Sequence, residues 1–539
     1  MNRLSRRDWL LIALLLIWIP ILWALGWSWR ALSAFKNGQP EIAASASRRA
    51  LPIVKILDVI TFTKVPDLHL WARGLEVMPL AARLQTVGGS YLQALANQES
   101  VSSEIITDIK TELDTLGATF AEIYPLFTKT IFVQRLIPVP IKNVVAELGP
   151  LVPALSPLFA ELSTSQHTYL ILFQNSHEVR ATGGFMGSYA QVTLSEGAVT
   201  ELSINDIYEP DGQFTGFVEA PPGVKEYLSG GKGWRLPDAN WHPDFGMSAQ
   251  HILSYFALGK KQNIEGVIAV NLSLAEQILT ITGPVYLPDY QLTVTAENLA
   301  EVARADRPEF FAGSYQKPQF LRALITHLRL KIQALPSDQK QALIALVMGS
   351  VETKNIQAYS SNSQIQEFFQ HRGATGELMV NHHGPSFLLV ESNVGINKAN
   401  KKVVRDTSLS ATEYRTQVTT TFKNQNSEPE NAYINYQRVI VPLSYTVHTL
   451  SVNNQPITQW DEAIIKNTDG NEFKQLGFLV SVAASKTASY SLELSHPSIS
   501  QEAEWLIQKQ AGLPPTPYSV TFNGETQNII LDQDQRLTF

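Results

Sequence analysis

The run from Trp9 to Trp29 (WLLIALLLIWIPILWALGWSW) carries no charged side chain, and it constrains the chain more than any other stretch. About 20 mainly apolar residues are needed to cross roughly 30 Å of hydrocarbon as a helix. In that slab every backbone amide must be paired within the segment, so a helix is the expected form. Pro20 costs one internal bond, which membrane helices tolerate. Trp9, Trp27 and Trp29 sit at the two ends, where an indole keeps its ring in the apolar zone and its N–H near water. A cleaved signal peptide would have an apolar core of about 7–15 residues and a small-x-small site after it, whereas Gly-Trp-Ser-Trp-Arg follows here. A buried core helix is the other reading. The expectation is therefore a signal anchor: a cytoplasmic head (1–8), a transmembrane helix (9–29) and a body beyond it. Arg3, Arg6 and Arg7 precede the run while Arg30, Lys36, Arg48 and Arg49 follow it, so flanking charge does not fix the side. The short head and long tail favour an extracytoplasmic body on a single-pass cell-membrane protein.

The chain has no cysteine, which excludes disulfides and thiol chemistry. Its net charge of −7 argues against nucleic acid as a partner, because phosphate binding usually leaves a basic surface. Charged residues make up 17% and apolar ones 44%, so sizeable cores are expected.

Residues 30–160 read as helical. HLWARGLEVMPLAARLQTVGGSYLQAL and SEIITDIKTELDTLGATFAEIYPLF space apolar residues three and four apart. A proline-spaced connector follows (IPVPIKNVVAELGPLVPALSPLF). In residues 161–400 the period changes: YLILFQN and GVIAVN are short apolar runs expected of buried strands, alternating with helical stretches. Such alternation predicts a layered α/β/α domain. In residues 401–539 helical periodicity vanishes. EYRTQVTTTFKN, AYINYQRVIVPL, FLVSVAA and YSVTFN alternate as strands do, which predicts a β-sandwich.

Three stretches could carry chemistry. The first is QNSHEVRATGGFMGS, Gln174 to Ser188, with Glu178, Arg180, Gly183 and Gly184 after a strand. Glycines there let a ligand approach the backbone, and Arg180 could hold a phosphate bidentately; a glycine-rich turn with an exposed arginine is the plain alternative. The second is RLPDANWHPDFGMSAQ, where Asp238, Asn240 and Asp244 are closely spaced oxygen donors suited to a hard cation. Asp244 or Ser248 could equally cap the next helix. The third is SINDIYEPDG, with Asp206 at a strand end and Asp211-Gly212 as a turn. Nothing matches a Walker loop, a Gly-x-Ser-x-Gly elbow or a His-Glu-x-x-His helix.

NSHEVRATGGFMGSYAQVTL, RLPDANWHPDFGMSAQHILSYF, IEGVIAVNLSLAEQILTITGPV, ESNVGINKANKKVVRD and IQKQAGLPPTPYSVTF together resemble bacterial proteins of domain-of-unknown-function family 4012. Members typically carry one N-terminal membrane helix. The order of elements is also similar, more distantly, to the LytR-CpsA-Psr cell-wall ligases, which move a glycopolymer from an undecaprenyl-pyrophosphate carrier to peptidoglycan. That resemblance implies a pyrophosphate contact for Arg180, a counterpart of the next motif at LSINDIYEPDG, and a late helix in which Lys317 and Gln319 replace an arginine-glutamine pair. The ligases' magnesium-holding aspartate has no counterpart in GGFMGS, and Ile204-Asn205-Asp206 lacks the arginine of their Pro-Arg-Asp.

Together these readings give an envelope protein that binds or transfers polyprenyl-pyrophosphate glycopolymers. Glu178, Arg180, Gly183, Gly184, Asn240, Lys317 and Gln319 would form the ligand site, and Asp206, Asp238 and Asp244 would act as base or hold magnesium. Its expected partners are the membrane and a lipid-linked glycopolymer or peptidoglycan. The alternatives are a non-catalytic envelope scaffold or polymer-binding module, and a cytoplasmic hydrolase with an inverted anchor.

Overall fold

The computed structural model describes residues 20–34, 39–60, 65–97, 102–127, 152–259, 263–304 and 316–539. They fall into two compact units, Met1–His167 with Thr193–Thr200, and Thr168–Val192 with Glu201–Phe539.

The first unit is helical: α1 (20–34), α2 (Pro40–Ile60), α3 (Pro66–Asn97), α4 (Ser103–Phe127) and α5 (Val152–Thr164). Of the Trp9–Trp29 run, residues 9–19 lie outside the described residues, as does the connector up to residue 151. The rest of the run belongs to α1. Its Ala24 packs with Ala50 and Val54 of α2 and with Ala72 and Leu75 of α3, all buried. Trp27 lies under the guanidinium of Arg49, 4.3 Å from the ring centre. No helix among the described residues is long and apolar enough to cross a membrane. This corrects each expectation built on such a helix: the transmembrane signal anchor, the membrane as partner, and the single-pass cell-membrane location with an extracytoplasmic body. The buried part of α1 is its small side chains, Ala24, Ala31 and Ala34, while Leu22, Trp23, Leu25 and Trp29 are exposed.

The second unit begins with a five-stranded sheet of order β3-β2-β1-β4-β7, built from β1 (His167–Asn175), β2 (Phe185–Ser195), β3 (Ala198–Asp206), β4 (Gly266–Asn271) and β7 (Ile356–Ser360). β1 and β4 are parallel, pairing Tyr169 with Gly266 through Gln174 with Asn271. β7 runs antiparallel to β4. Leu170, Leu172, Val267 and Ala269 of the central pair are buried, which is why both strands read as apolar runs rather than as alternations. After the short helices α6 (Tyr208–Gln213) and α7 (Val224–Tyr227), helix α8 (Phe245–Leu258) packs on this sheet, contributing Phe245, Ala249, Ile252 and Phe256 to the core. A second layer contains α9 (Leu272–Thr282), the hairpin β5 (Val285–Leu287) and β6 (Leu292–Val294), α10 (Leu299–Arg304) and α11 (Gln316–Gln333), gathered around Leu279, Val294 and Phe320.

Residues from Ser386 onward form two further sheets. One has seven strands, with β9 (Val403–Ala411) and β10 (Arg415–Asn424) inside it, and one has six, with β8 (Ser386–Val390) and β11 (Tyr433–Val441) inside it. They share a core of Phe387, Val418, Phe422, Val439, Tyr490, Trp505 and Val520. The segment Gln508–Lys509–Gln510 ties this core to the α/β layer. The Gln510 amide donates to the carbonyls of Arg180 (3.0 Å) and Glu391 (2.8 Å) and accepts from the Glu391 N–H (2.7 Å). Lys509 donates to the carbonyl of Thr353 at 3.0 Å. Gln508 spans Glu377 and Met379.

Candidate functional site

β1 ends at Asn175, whose side chain accepts from the His177 N–H at 3.0 Å and caps a single 3-10 turn, Ser176–Glu178. The chain then passes through Gly183, at φ +135°, where a Cβ would stand 2.1 Å from Asn271 Oδ1 and 2.5 Å from Gln174 Oε1. Only glycine fits this crossing over the ends of β1 and β4. Gly184 lies as tightly against the Asn175 backbone. Asn240, fully buried, donates to Thr182 Oγ1 and to the Gly184 carbonyl at 2.9 Å and so holds the loop.

Arg180 is 1% exposed. Its Nε donates to Asp238 (3.0 Å), Nη2 to Glu178 (3.1 Å), and Nη1 to the carbonyls of Asn393 (2.6 Å) and Val179 (3.2 Å). Burial works against the guanidinium's charge, but Asp238 and Glu178 outweigh it and raise its pKa further. Glu178 also pairs with Lys398. Two cations and two carboxylates thus close on one another, and each guanidinium nitrogen of Arg180 already has a partner.

Asp244 is the N-cap of α8. It accepts from the N–H of Met247 (3.0 Å) and Leu378 (2.9 Å) and from the Thr468 hydroxyl (2.6 Å). Burial raises its carboxyl pKa, against the pull of these donors. Asp206, buried at the end of β3, accepts from the Tyr208 N–H at 2.9 Å, and its charge acts on Lys317. Gln319 is exposed. Burial raises the pKa of Tyr208 and the charges of Asp238 and Asp206 add to that, whereas Asp244 is engaged in the cap of α8; among the described residues no group of three or more His, Asp or Glu side chains is placed to hold a metal ion.

What the structure does bring together is a cavity of about 430 Å³ beside the loop, within the range usual for small-molecule sites. Its walls are apolar: Phe173 of β1, Ala275 and Leu279 of α9, Leu299 and Ala303 of α10, and Leu321, Leu324 and Leu328 of α11. Its polar lining is Gln174, Asn175, Ser188, Asn271, Asn397 and two lysines, Lys317 and Lys398. Lys317, in the first turn of α11, donates to the Gly187 carbonyl at 3.1 Å. Burial lowers its pKa and Asp206 counteracts that shift. Gln174 Oε1, Ser188 Oγ and Asn271 Oδ1 are buried and accept no hydrogen bond from the described residues. The Asn271 amide is oriented by its own N–H, which donates to the Lys354 carbonyl at 3.0 Å.

Of the expected ligand residues, Lys317 lines the cavity while Glu178, Arg180 and Asn240 lie in the structural network beside it. Lys398, Asn271 and the apolar walls were not singled out from sequence. The signal for the walls was the apolar spacing of LRALITHL behind Lys317, and the signal for Lys398 was the basic run NKANKK.

Solved structures offer weak likenesses. A putative nutrient binding protein from Legionella pneumophila is 10% identical with a TM-score of 0.18, and the match covers 22% of this chain and 49% of that one, about half its length. A transcriptional regulator from Enterococcus faecalis is 11% identical with a TM-score of 0.22, over 39% of this chain and 72% of that one. A protein from Listeria innocua is 12% identical with a TM-score of 0.20, over 42% and 86%. TM-scores this low do not establish a shared fold. No curated protein matches the chain, and the likeness to the LytR-CpsA-Psr ligases is not shown. Residues 165–307, which carry β1 to β4, the Arg180 loop and helices α8 to α10, match the family model described as "Protein of unknown function (DUF4012)", which bears out the resemblance to that family over this segment.

Proposed function

We propose that this protein binds an amphiphile, with its apolar chain between α9, α10 and α11 and its anionic head at Lys317 and Lys398. The observation that carries this reading is the union in one cavity of apolar helical walls and a polar end bearing Lys317 and Lys398, the second of them shared with Glu178. Enclosed apolar surface favours a hydrocarbon chain in proportion to the area covered. The cations suit a head with negative charge. A polyprenyl phosphate or pyrophosphate, the lipid carrier of envelope glycopolymers, is the class that fits best. Binding rather than transfer is supported by Asp238 and Asp244, whose oxygens are engaged in an ion pair and a helix cap.

Calorimetry with geranylgeranyl phosphate and geranylgeraniol in mild detergent tests this. The phosphate is expected to bind more tightly than the alcohol, and Lys317→Ala with Lys398→Ala to remove that preference, a change of about tenfold or more for lost charge-assisted bonds. Equal affinity for the two compounds, or no binding of either, would overturn the reading.

A further inference from the structure

Ile396 has φ +52°, and among the described residues it is the one β-branched side chain with a positive φ. A branched Cβ crowds the backbone in this region, which asparagine and glycine tolerate far better. The side chain gains no burial in exchange, since Ile396 is 65% exposed. It nevertheless lines the cavity, two residues from Lys398. The turn that holds it is fixed from both sides. Asn393, fully buried, accepts from the Gly395 N–H (2.9 Å) and donates to the Asn397 carbonyl (2.9 Å). The Asn397 amide donates to the carbonyls of Glu430 (3.0 Å) and Ala432 (2.8 Å), and the Asn393 carbonyl accepts from Arg180. The network imposes the left-handed conformation, and an isoleucine occupies it at the rim of an apolar cavity. Strain of this kind persists where the surroundings over-determine it, and it clusters at ligand clamps.

We infer that Ile396 is a specificity-determining residue: it covers the first carbons of the ligand's chain beside the head held at Lys398. This rests on the amphiphile-binding reading. It explains why an exposed apolar side chain stands where a polar one would relieve strain, and it assigns the Arg180 network a purpose, namely to fix the rim.

The test measures thermal midpoint and geranylgeranyl phosphate affinity for the full chain and three variants. Ile396→Asn is expected to raise the midpoint by about 2 °C or more, because the strain is relieved, and to weaken binding about tenfold, because the apolar cover is lost. Ile396→Ala should weaken binding similarly. Ile396→Val, which keeps both branch and strain, should bind within about threefold of the parent. Opposite signs for stability and affinity in Ile396→Asn are the signature of the role. Parent-like binding by Ile396→Asn and Ile396→Ala would reject it while leaving the amphiphile reading intact. Failure of the unmodified protein to bind the probe would reject both.

Discussion

At the residue scale the Arg180 network shows how burial converts a candidate ligand group into a structural one. Replacing Arg180 with alanine would leave Asp238 a buried carboxylate without its cation and Glu178 with Lys398 alone, and breaking such a pair from one side costs about 3–5 kcal/mol. Urea unfolding of Arg180→Ala should show a loss of that size. A loss below about 1 kcal/mol would mean that the guanidinium is not integral to the fold. Close by, burial lowers the pKa of His177 to about 4, with Lys401 and Lys398 adding repulsion. The sign follows from linkage. The unfolded chain takes up this proton near pH 6.5 and the folded chain only near 4, so the associated stability is present above 6.5 and lost as pH falls through that window. The loss is on the order of 3 kcal/mol, and His177→Asn should flatten the pH dependence of the urea midpoint between pH 6.5 and 4. Sequence singled out the Glu178–Gly184 stretch from its glycines and charges. It could not show that Asp238 lies 58 positions away, Asn393 213 and Lys398 220 from the groups they meet. An arginine that reads as exposed is thereby saturated.

At the scale of elements, local pattern was informative wherever the tertiary environment was uniform. YLILFQN is β1 and GVIAVN is β4 because both faces of these strands are covered. EYRTQVTTTFKN contains β10, where Thr416, Val418, Thr420 and Phe422 are buried in alternation. Asp244 allowed two sequence readings, cation ligand or helix cap, and its three short bonds select the cap. Asp244→Asn retains an acceptor for the Met247 N–H and should cost little, whereas Asp244→Ala strands three donors and should cost about 2–3 kcal/mol. Neither is expected to alter geranylgeranyl phosphate affinity in a folded sample, and a specific loss of binding in Asp244→Asn would return this residue to the ligand site. SINDIYEPDG read as a strand end and a turn, yet Tyr208–Gln213 closes a short helix after the Asp206 carboxylate caps Tyr208. Pro210 and Gly212 fit its first and last turns as well as they fit a loop.

At the scale of the whole molecule, the second unit joins layers that look separable in sequence. The change from helical to alternating periodicity near residue 400 suggests two domains, but Gln508 to Gln510 send buried side chains across to Arg180, Thr353 and Glu377. Segments far apart in the chain therefore build one site: α9, α10 and α11 supply the walls, and the turn at 393–398 supplies the rim. The expected membrane helix has no counterpart among the described residues, where no helix is long and apolar enough to cross a membrane and Ala24 of α1 packs on α2 and α3. The cavity itself was not legible, because no local pattern marks side chains that face an unfilled space.

The central claim is that this space holds the chain of an anionic amphiphile. Photo-crosslinking with a benzophenone-bearing geranylgeranyl phosphate, followed by peptide mass spectrometry, tests it most directly. Adducts are expected within Leu272–Thr282 and Gln316–Gln333, suppressed by excess unlabelled geranylgeranyl phosphate and lost in Ala275→Phe, which fills the cavity. Adducts elsewhere, or adducts unaffected by competitor and by Ala275→Phe, would contradict the account.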